Sequence, residues 1–254
     1  MLVRKVIPCL DVKDGKVVKG VNFEGIKEVG DPIEYAEFYN SQGADELVLY
    51  DISASIENRI IDLELVRKVS QKISMPFCIA GGIGTEEGFK NALNAGADKV
   101  SINSQAVKNP ELISLAAAAF GSESVVVGID AKRGSESNFT VMLGGGKIDT
   151  GLDLIEWVKK IQSLGAGEIC LNSIDKDGVK NGYDIEMLNA VCETAEIPVI
   201  ASGGCGKLEH FSEVFSKTKA TSALAASVFH FGILTVEEIK EYLQKEGIPV
   251  REHR

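Results

Sequence analysis

Met75-Pro-Phe-Cys-Ile-Ala-Gly-Gly82 returns later in the chain as Ile197-Pro-Val-Ile-Ala-Ser-Gly-Gly204, an offset of 122 positions in a sequence of 254. Gly43-Ala-Asp-Glu-Leu-Val-Leu49 returns at the same 122-position offset as Gly165-Ala-Gly-Glu-Ile-Cys-Leu171. Leu10-Asp-Val-Lys-Asp-Gly15 returns at 119 positions as Ile129-Asp-Ala-Lys-Arg-Gly134. Copies nearly half a chain apart mean two similar halves built from the same units. Around them, short runs rich in Val, Ile and Leu recur at 6–10, 47–50, 77–80, 100–102, 125–129, 169–171, 199–201 and 223–225. Continuous apolar runs this short suit strands buried on both faces. Segments of helical period separate them, at 32–42, 63–73, 86–95, 110–120, 152–164, 185–194, 208–215 and 236–245. Strict alternation calls for a parallel sheet, and four βα units per half, doubled, close into eight. The expected fold is an α/β (βα)8 TIM barrel of two similar half-barrels, one domain over residues 1–254. The open dinucleotide-binding alternative needs G-x-G-x-x-G after the first strand, where Asp11-Val-Lys-Asp-Gly15 stands instead.

Composition narrows the function. A formal charge of −10 with scattered Lys and Arg repels a polyanion, so no nucleic-acid partner is expected, and any phosphate must be gripped locally. No apolar run is long enough for a membrane span and Met1–Lys5 shows no signal-peptide pattern, so the expected place of work is the cytoplasm, with no membrane partner. The 5 cysteines lack CxxC spacing and sit mostly in apolar runs, which reads as packing in a reducing compartment. With 3 histidines there is no cluster for zinc and no Ser/His/Asp set, so neither a metal nor a cofactor is called for.

Barrel enzymes work at the face where strands end, because the loops there vary without disturbing the core. Those ends carry Asp11, Asp51, Gly81-Gly82, Asn103-Ser104 and Asp130 in the first half and just beyond it. Asn172-Ser173 with the 175–178 loop, Ser202-Gly203-Gly204 and Ala226-Ser227 complete the second half. A Gly-Gly turn lets backbone N–H groups approach an anion, and the start of a short helix adds positive charge, so the last two strand ends form a phosphate cradle. Gly82 with Asn103 and Ser104 repeats it across the mouth, implying a ligand with a phosphate at each end. One such glycine pair alone would be read as a tight turn; the matched pair half a chain away argues for cradles. Asp11 and Asp130 hold equivalent places in the two halves and should meet between the cradles, where one can accept a proton while the other gives one. A strand-end Asp also serves as a turn or cap residue, and it is the symmetry that favours catalysis.

Two features leave alternatives open. Residues 15–30 make a long, glycine-rich connection that could close as a lid carrying Lys19, or Lys19 could be a solvated surface residue. Lys5, Glu46, Lys99 and Glu168 each precede or begin an apolar run at the opposite end of the strands. They make either a ring of alternating charge across the barrel bottom or ordinary strand-start charges facing water.

Ile7-Pro-Cys-Leu-Asp-Val-Lys-Asp-Gly15, Gly43-Ala-Asp-Glu-Leu-Val48, Gly96-Ala-Asp-Lys-Val-Ser-Ile-Asn103, Gly128-Ile-Asp-Ala-Lys-Arg133, Gly165-Ala-Gly-Glu-Ile169 and Ala225-Ala-Ser-Val-Phe-His-Phe231, in this order, resemble the cyclase subunits of imidazole glycerol phosphate synthase, of histidine biosynthesis. The resemblance implies a lyase/cyclase working within a glutamine amidotransferase. It would use ammonia to convert a bis-phosphorylated, formimino-type ribulosyl aminoimidazole carboxamide ribotide into imidazole glycerol phosphate and aminoimidazole carboxamide ribotide. It further implies a heterodimer with a glutaminase subunit on the barrel bottom, and ammonia passing through a gate of Lys5, Glu46, Lys99 and Glu168. By the same resemblance Asp11 and Asp130 are the acid/base pair and Lys19 belongs to the closing loop. Gly82, Asn103 and Ser104 would hold one phosphate, and Asp177, Gly178, Gly204, Ala226 and Ser227 would surround the other, Asp177 through loop structure or a hydroxyl contact rather than charge. The chain departs from the family pattern with Ala80 for a frequent Gly, Ser104 and Asn172 for Thr, and Lys5 for Arg. The sister barrel that isomerises the preceding sugar phosphate would share the cradles and carboxylates, and a non-catalytic ammonia-delivering barrel is a further alternative; Asp11-Val-Lys-Asp-Gly-Lys-Val-Val-Lys-Gly20 and the charged ring favour the cyclase, and the paired aspartates favour catalysis.

Overall fold

In a computed structural model the described residues are 3–21, 24–134 and 138–252, the side chains of 19–27 excepted. The strands are β1 (Lys5–Lys13), β2 (Lys16–Val21), β3 (Glu24–Gly30), β4 (Leu47–Asp51), β5 (Phe77–Ala80), β6 (Lys99–Ile102), β7 (Val125–Arg133), β8 (Phe139–Leu143), β9 (Ile148–Asp153), β10 (Glu168–Ser173), β11 (Val199–Ser202) and β12 (Ser222–Ala225). The helices are α1 (Pro32–Ser41), α2 (Leu63–Ser70), α3 (Glu86–Asn94), α4 (Ser104–Lys108), α5 (Glu111–Phe120), α6 (Leu154–Ser163), α7 (Ile185–Thr194), α8 (Leu208–Lys217), α9 (Ser227–His230) and α10 (Val236–Lys245). Strands β1, β4, β5, β6, β7, β10, β11 and β12 pair in parallel, and the β10–β7 ladder together with β12–β1 closes them into an eight-stranded barrel.

Each strand turns alternate residues to opposite faces, which divides the apolar residues into two cores. Val6, Leu10, Leu47, Leu49, Phe77, Ile79 and Val100 belong to the outer one, between barrel and helices. Ile7, Cys9, Val48, Cys78, Val126, Ile200 and Leu224 form a separate cluster in the lumen. Each fully buried Leu, Ile or Val contributes about 1.5–3 kcal/mol, so the larger outer core dominates stability. The buried members of the lumen cluster are fewer, and all are aliphatic or Cys. The helices start where acidic or hydroxyl caps take up free N–H groups: Asp31 accepts from Ile33 N at 2.8 Å ahead of Pro32, and Thr235 forms a capping box with Glu238 on α10.

All the strand and helix segments expected from the apolar pattern are present, with ends moved by a few residues. The connections differ from expectation. Residues 16–21 and 24–30 are not plain loop: β2 pairs antiparallel with the end of β1, Val12 opposite Val17, and with β3. A second hairpin, β8 and β9, extends β7 in the same way, Asp130 opposite Met142. The two halves therefore share a hairpin after their first strand as well as their sequence copies. Among the described residues no helix is long and apolar enough to cross a membrane.

Candidate active site

The strand ends open into one cavity of about 420 Å³, lined by Asp11 on β1, Tyr50 on β4, Asn103 after β6, Asp130 on β7, Asn172 on β10 and Ser202 on β11. Asp11 and Asp130, the two residues equivalent under the internal repeat, thus face the same space. Asp130 is clamped by neutral amides: Asn103 Nδ2 donates to its Oδ2 at 3.0 Å and Asn172 Nδ2 to its Oδ1 at 3.0 Å. Asn172 is held in turn, its Oδ1 accepting from Ser202 Oγ at 3.2 Å. Burial raises the pKa of Asp130, the hydrogen bonds from Asn172 and Asn103 pull it back, and the nearby charge of Asp177 adds to the rise. Asp11 Oδ1 lies 3.8 Å from the Cys9 thiol, which donates to it.

Glycine pairs stand at two opposite points of the rim. A Cβ on Gly82, whose φ is +67°, would strike the carbonyl oxygen of Arg59, and one on Gly204, at φ +99°, would strike that of Gly182. Only glycine lets the backbone come this close while in the left-handed region. The first pair opens on a small side chamber of about 40 Å³ shared with Asn103 and Ser104, at the start of α4. Asn103 Oδ1 is buried there without a hydrogen-bond partner among the described residues. Behind this chamber Asp51 fixes the β4–α2 loop, accepting from Ser53 N at 3.0 Å, Ala54 N at 3.0 Å and Arg59 NH1 at 2.6 Å. Gly204, Ala226 and Ser227, with Asp177 and Gly178, line the main cavity on the other side, at the start of α9. Lys19 lies in β2, but its side chain is outside the described residues.

At the other end of the lumen the four charged residues meet. Glu46 Oε2 takes Lys99 Nζ at 2.8 Å and Lys5 Nζ at 3.3 Å, and Lys99 Nζ also reaches Glu168 Oε2 at 2.7 Å. Glu46 is fully buried, while Lys5 keeps 34% of its side chain exposed. Burial lowers and the two glutamates raise the pKa of Lys99, with the net result upward; burial and then Glu46 raise that of Glu168, against Lys99. The alternative of strand-start charges facing water is excluded by these contacts.

A family described as histidine biosynthesis protein matches residues 5–235, almost the whole barrel. The chain belongs to this family. The imidazole glycerol phosphate synthase subunit HisF of Clostridium botulinum (strain Langeland / NCTC 10281 / Type F) is 56% identical over 252 residues, covering 99% of this chain and 100% of that protein. The HisF subunit of Lactococcus lactis subsp. cremoris (strain SK11) is also 56% identical, over 99% of this chain and 97% of its own length.

In this histidine biosynthesis barrel several cavity residues were not evident from sequence. Lys13, at the end of β1, and Lys147, beside the Gly144–Gly146 turn, bring positive charge to the mouth of a protein whose net charge is −10. Strand-like runs on both sides of Gly144-Gly145-Gly146 were the available hairpin signal for Lys147. Tyr50 and Ser101 face the cavity because the strand alternation that places Glu46 and Lys99 at the floor carries inward to them. Burial pushes the thiols of Cys170 and Cys205 up to about 12 and that of Cys192 to about 11, which disfavours their thiolates.

Proposed function

We propose that the chain is the cyclase subunit of imidazole glycerol phosphate synthase. It takes ammonia and the bis-phosphorylated, formimino-type ribulosyl aminoimidazole carboxamide ribotide, and releases imidazole glycerol phosphate and aminoimidazole carboxamide ribotide. The observation that carries this reading is the meeting of Asp11 and Asp130, from equivalent strands of the two halves, in one cavity flanked by two glycine-pair cradles.

One phosphate sits on Gly82, Asn103 and Ser104, where backbone N–H groups and the Ser104 hydroxyl donate to it. The other sits on Gly178, Gly204, Ala226 and Ser227, with Asp177 shaping the loop rather than touching the anion. Two fixed ends hold the ketone of the ribulosyl arm between the carboxylates, which is the positional part of catalysis. Ammonia adds to the ketone carbon. Asp130, inclined by burial to keep its proton, gives it to the ketone oxygen, and Asp11 takes a proton from the nitrogen. Loss of water leaves an imine, and the same pair then serves cleavage of the substrate and closure of the imidazole ring. Lys19 belongs to the segment that closes over the mouth.

Ammonia reaches the site from below. The relatives are named as subunits, in keeping with a heterodimer in which a glutaminase subunit docks on the floor. The Lys5–Glu46–Lys99–Glu168 ring is the gate between that partner and the lumen. The compartment is the cytoplasm, and neither nucleic acid nor membrane is a partner of a chain with net charge −10 and a small-molecule cavity.

Incubating the purified chain with the ribulosyl substrate and an ammonium salt tests the proposal. Formation of imidazole glycerol phosphate, followed spectrophotometrically, is expected without any partner. Absence of turnover would reject it, because the sister isomerase and a non-catalytic barrel both fail to make that product.

A further inference from the structure

Along β4 and the residue before it the inward positions run from Glu46 at the floor through Val48 to Tyr50 beneath the mouth. Tyr50 stands opposite Asp11 in the register of β1 and β4 and lines both the main cavity and the small chamber at Gly81-Gly82. After burial, the charges of Asp130 and then Asp11 are what push its pKa upward, so the phenol lies within electrostatic reach of both carboxylates.

Tyr50 is partly buried, and the two buried phenols of the molecule are engaged. Tyr39 Oη is 2.8 Å from His230 Nδ1, and Tyr183 Oη donates to the carbonyl oxygen of Leu224 at 3.1 Å. The Tyr50 hydroxyl makes no hydrogen bond among the described residues, yet it is not one of the side-chain atoms shut away from solvent without a partner. A buried tyrosine normally satisfies its O–H within the protein. Left facing a cavity, the group is open to whatever occupies it.

We propose that the Tyr50 hydroxyl is a further catalytic group, donating a hydrogen bond to the substrate's ketone oxygen as ammonia adds. The inference rests on the cyclase reading above. In that step the nitrogen forms a bond to the carbonyl carbon and the C=O π pair moves onto oxygen. One N–H proton leaves to a carboxylate of the pair, and the oxygen takes its proton from the other as a carboxylic acid. The Tyr50 O–H bond stays intact throughout and steadies the negative charge while it gathers on oxygen. An ionised carboxylate can only accept, whereas a phenol held next to two of them keeps its proton and so remains a donor. A fixed donor aimed at developing charge costs no reorganisation when the charge appears.

Tyr50→Phe removes the hydroxyl and keeps the ring that fills the top of the lumen. Steady-state assays of wild type and variant, at saturating ammonium salt, should show kcat reduced by about 100-fold, the loss seen for a single such donor. The KM for the ribulosyl substrate should stay within about twofold, because the bond strengthens only as charge develops. Wild-type kcat in the variant would overturn the proposal and leave the cyclase reading intact. A raised substrate KM with kcat kept would also overturn it, by showing contact in the ground state alone. Lack of turnover by the wild type itself would sink the cyclase reading and this inference with it.

Discussion

The two ends of the lumen both carry buried charge, and they handle it in opposite ways. At the floor every charge has an opposite one: Glu46 holds Lys5 and Lys99, and Lys99 holds Glu168. At the mouth, among the described residues, Asp130 is held by the neutral amides of Asn103 and Asn172. Ion pairs lock a charge in place and make its loss costly; neutral donors fix a carboxylate's position while leaving its proton free to move. The floor is accordingly suited to holding shape, and a carboxylate held as Asp130 is can still exchange a proton.

The largest expected effect breaks the mouth. Asp130→Asn and Asp11→Asn each keep size and remove the capacity to exchange a proton, and turnover with ammonium salt should fall by about 10³-fold in each. Calorimetry with the ribulosyl substrate should show binding largely retained, since the phosphate cradles are untouched. Wild-type-like rates in both variants would remove the aspartates from catalysis and erase the contrast between the two ends.

Next in size is the floor. Glu46→Gln keeps one acceptor oxygen but removes the negative charge shared by two lysines, and although Lys99 keeps Glu168, Lys5 loses its ionic partner. Breaking a buried pair in this way should cost about 3 kcal/mol and lower the thermal midpoint by roughly 6–10 °C. An unchanged melting curve would mean that the ring contributes no more than an exposed ion pair does.

A smaller effect separates stability from function at a single residue. The raised pKa of Asp130 means the folded state binds that proton more tightly than the unfolded chain. Its contribution to stability is therefore fully present below the ordinary carboxylate pKa and is lost as pH rises through the folded value. Asp130→Asn escapes that loss, so this variant should melt higher than wild type at neutral pH, with the difference fading in acid. Asn103 makes the exchange tolerable: its Oδ1 has no partner among the described residues, and rotating the amide would offer that oxygen to the new NH₂ group. A variant less stable than wild type at neutral pH would indicate that the two amide bonds outweigh the cost of burying the charge.

The repeat made the barrel legible because an equivalent position in each half needs no knowledge of distances. Asp11 and Asp130, or Gly82 and Gly204, are related by sequence offset alone, and the closed β10–β7 and β12–β1 ladders turn that offset into opposition across the mouth. Residues outside the repeat were harder to read. The hairpin β8–β9 has no copy in sequence of β2–β3, and its short runs are interrupted by glycines. Tyr50 has Asn172 at the equivalent place, so symmetry offered no reason to select it. The charges at 5, 46, 99 and 168 were visible, but period-2 alternation alone does not say which face of a strand is inside; the lumen contacts do.

The smallest effect belongs to Lys5, and it sharpens the account of the floor. Lys99 has 17% of its side chain exposed and touches two glutamates, whereas Lys5 has 34% exposed and makes one contact to Glu46, at 3.3 Å. A partly solvated ammonium exchanges much of that attraction for hydration, so Lys5→Ala should cost no more than about 1 kcal/mol, a shift of a few degrees at most. Glu46 keeps Lys99 in the variant, so no charge is left uncompensated. If Lys5→Ala instead destabilised the chain as much as Glu46→Gln, the floor would act as one indivisible ring rather than as a tight Glu46–Lys99–Glu168 core with a loose outer member. A double-mutant cycle between positions 5 and 46 would measure which holds, through a coupling either near zero or close to the full loss.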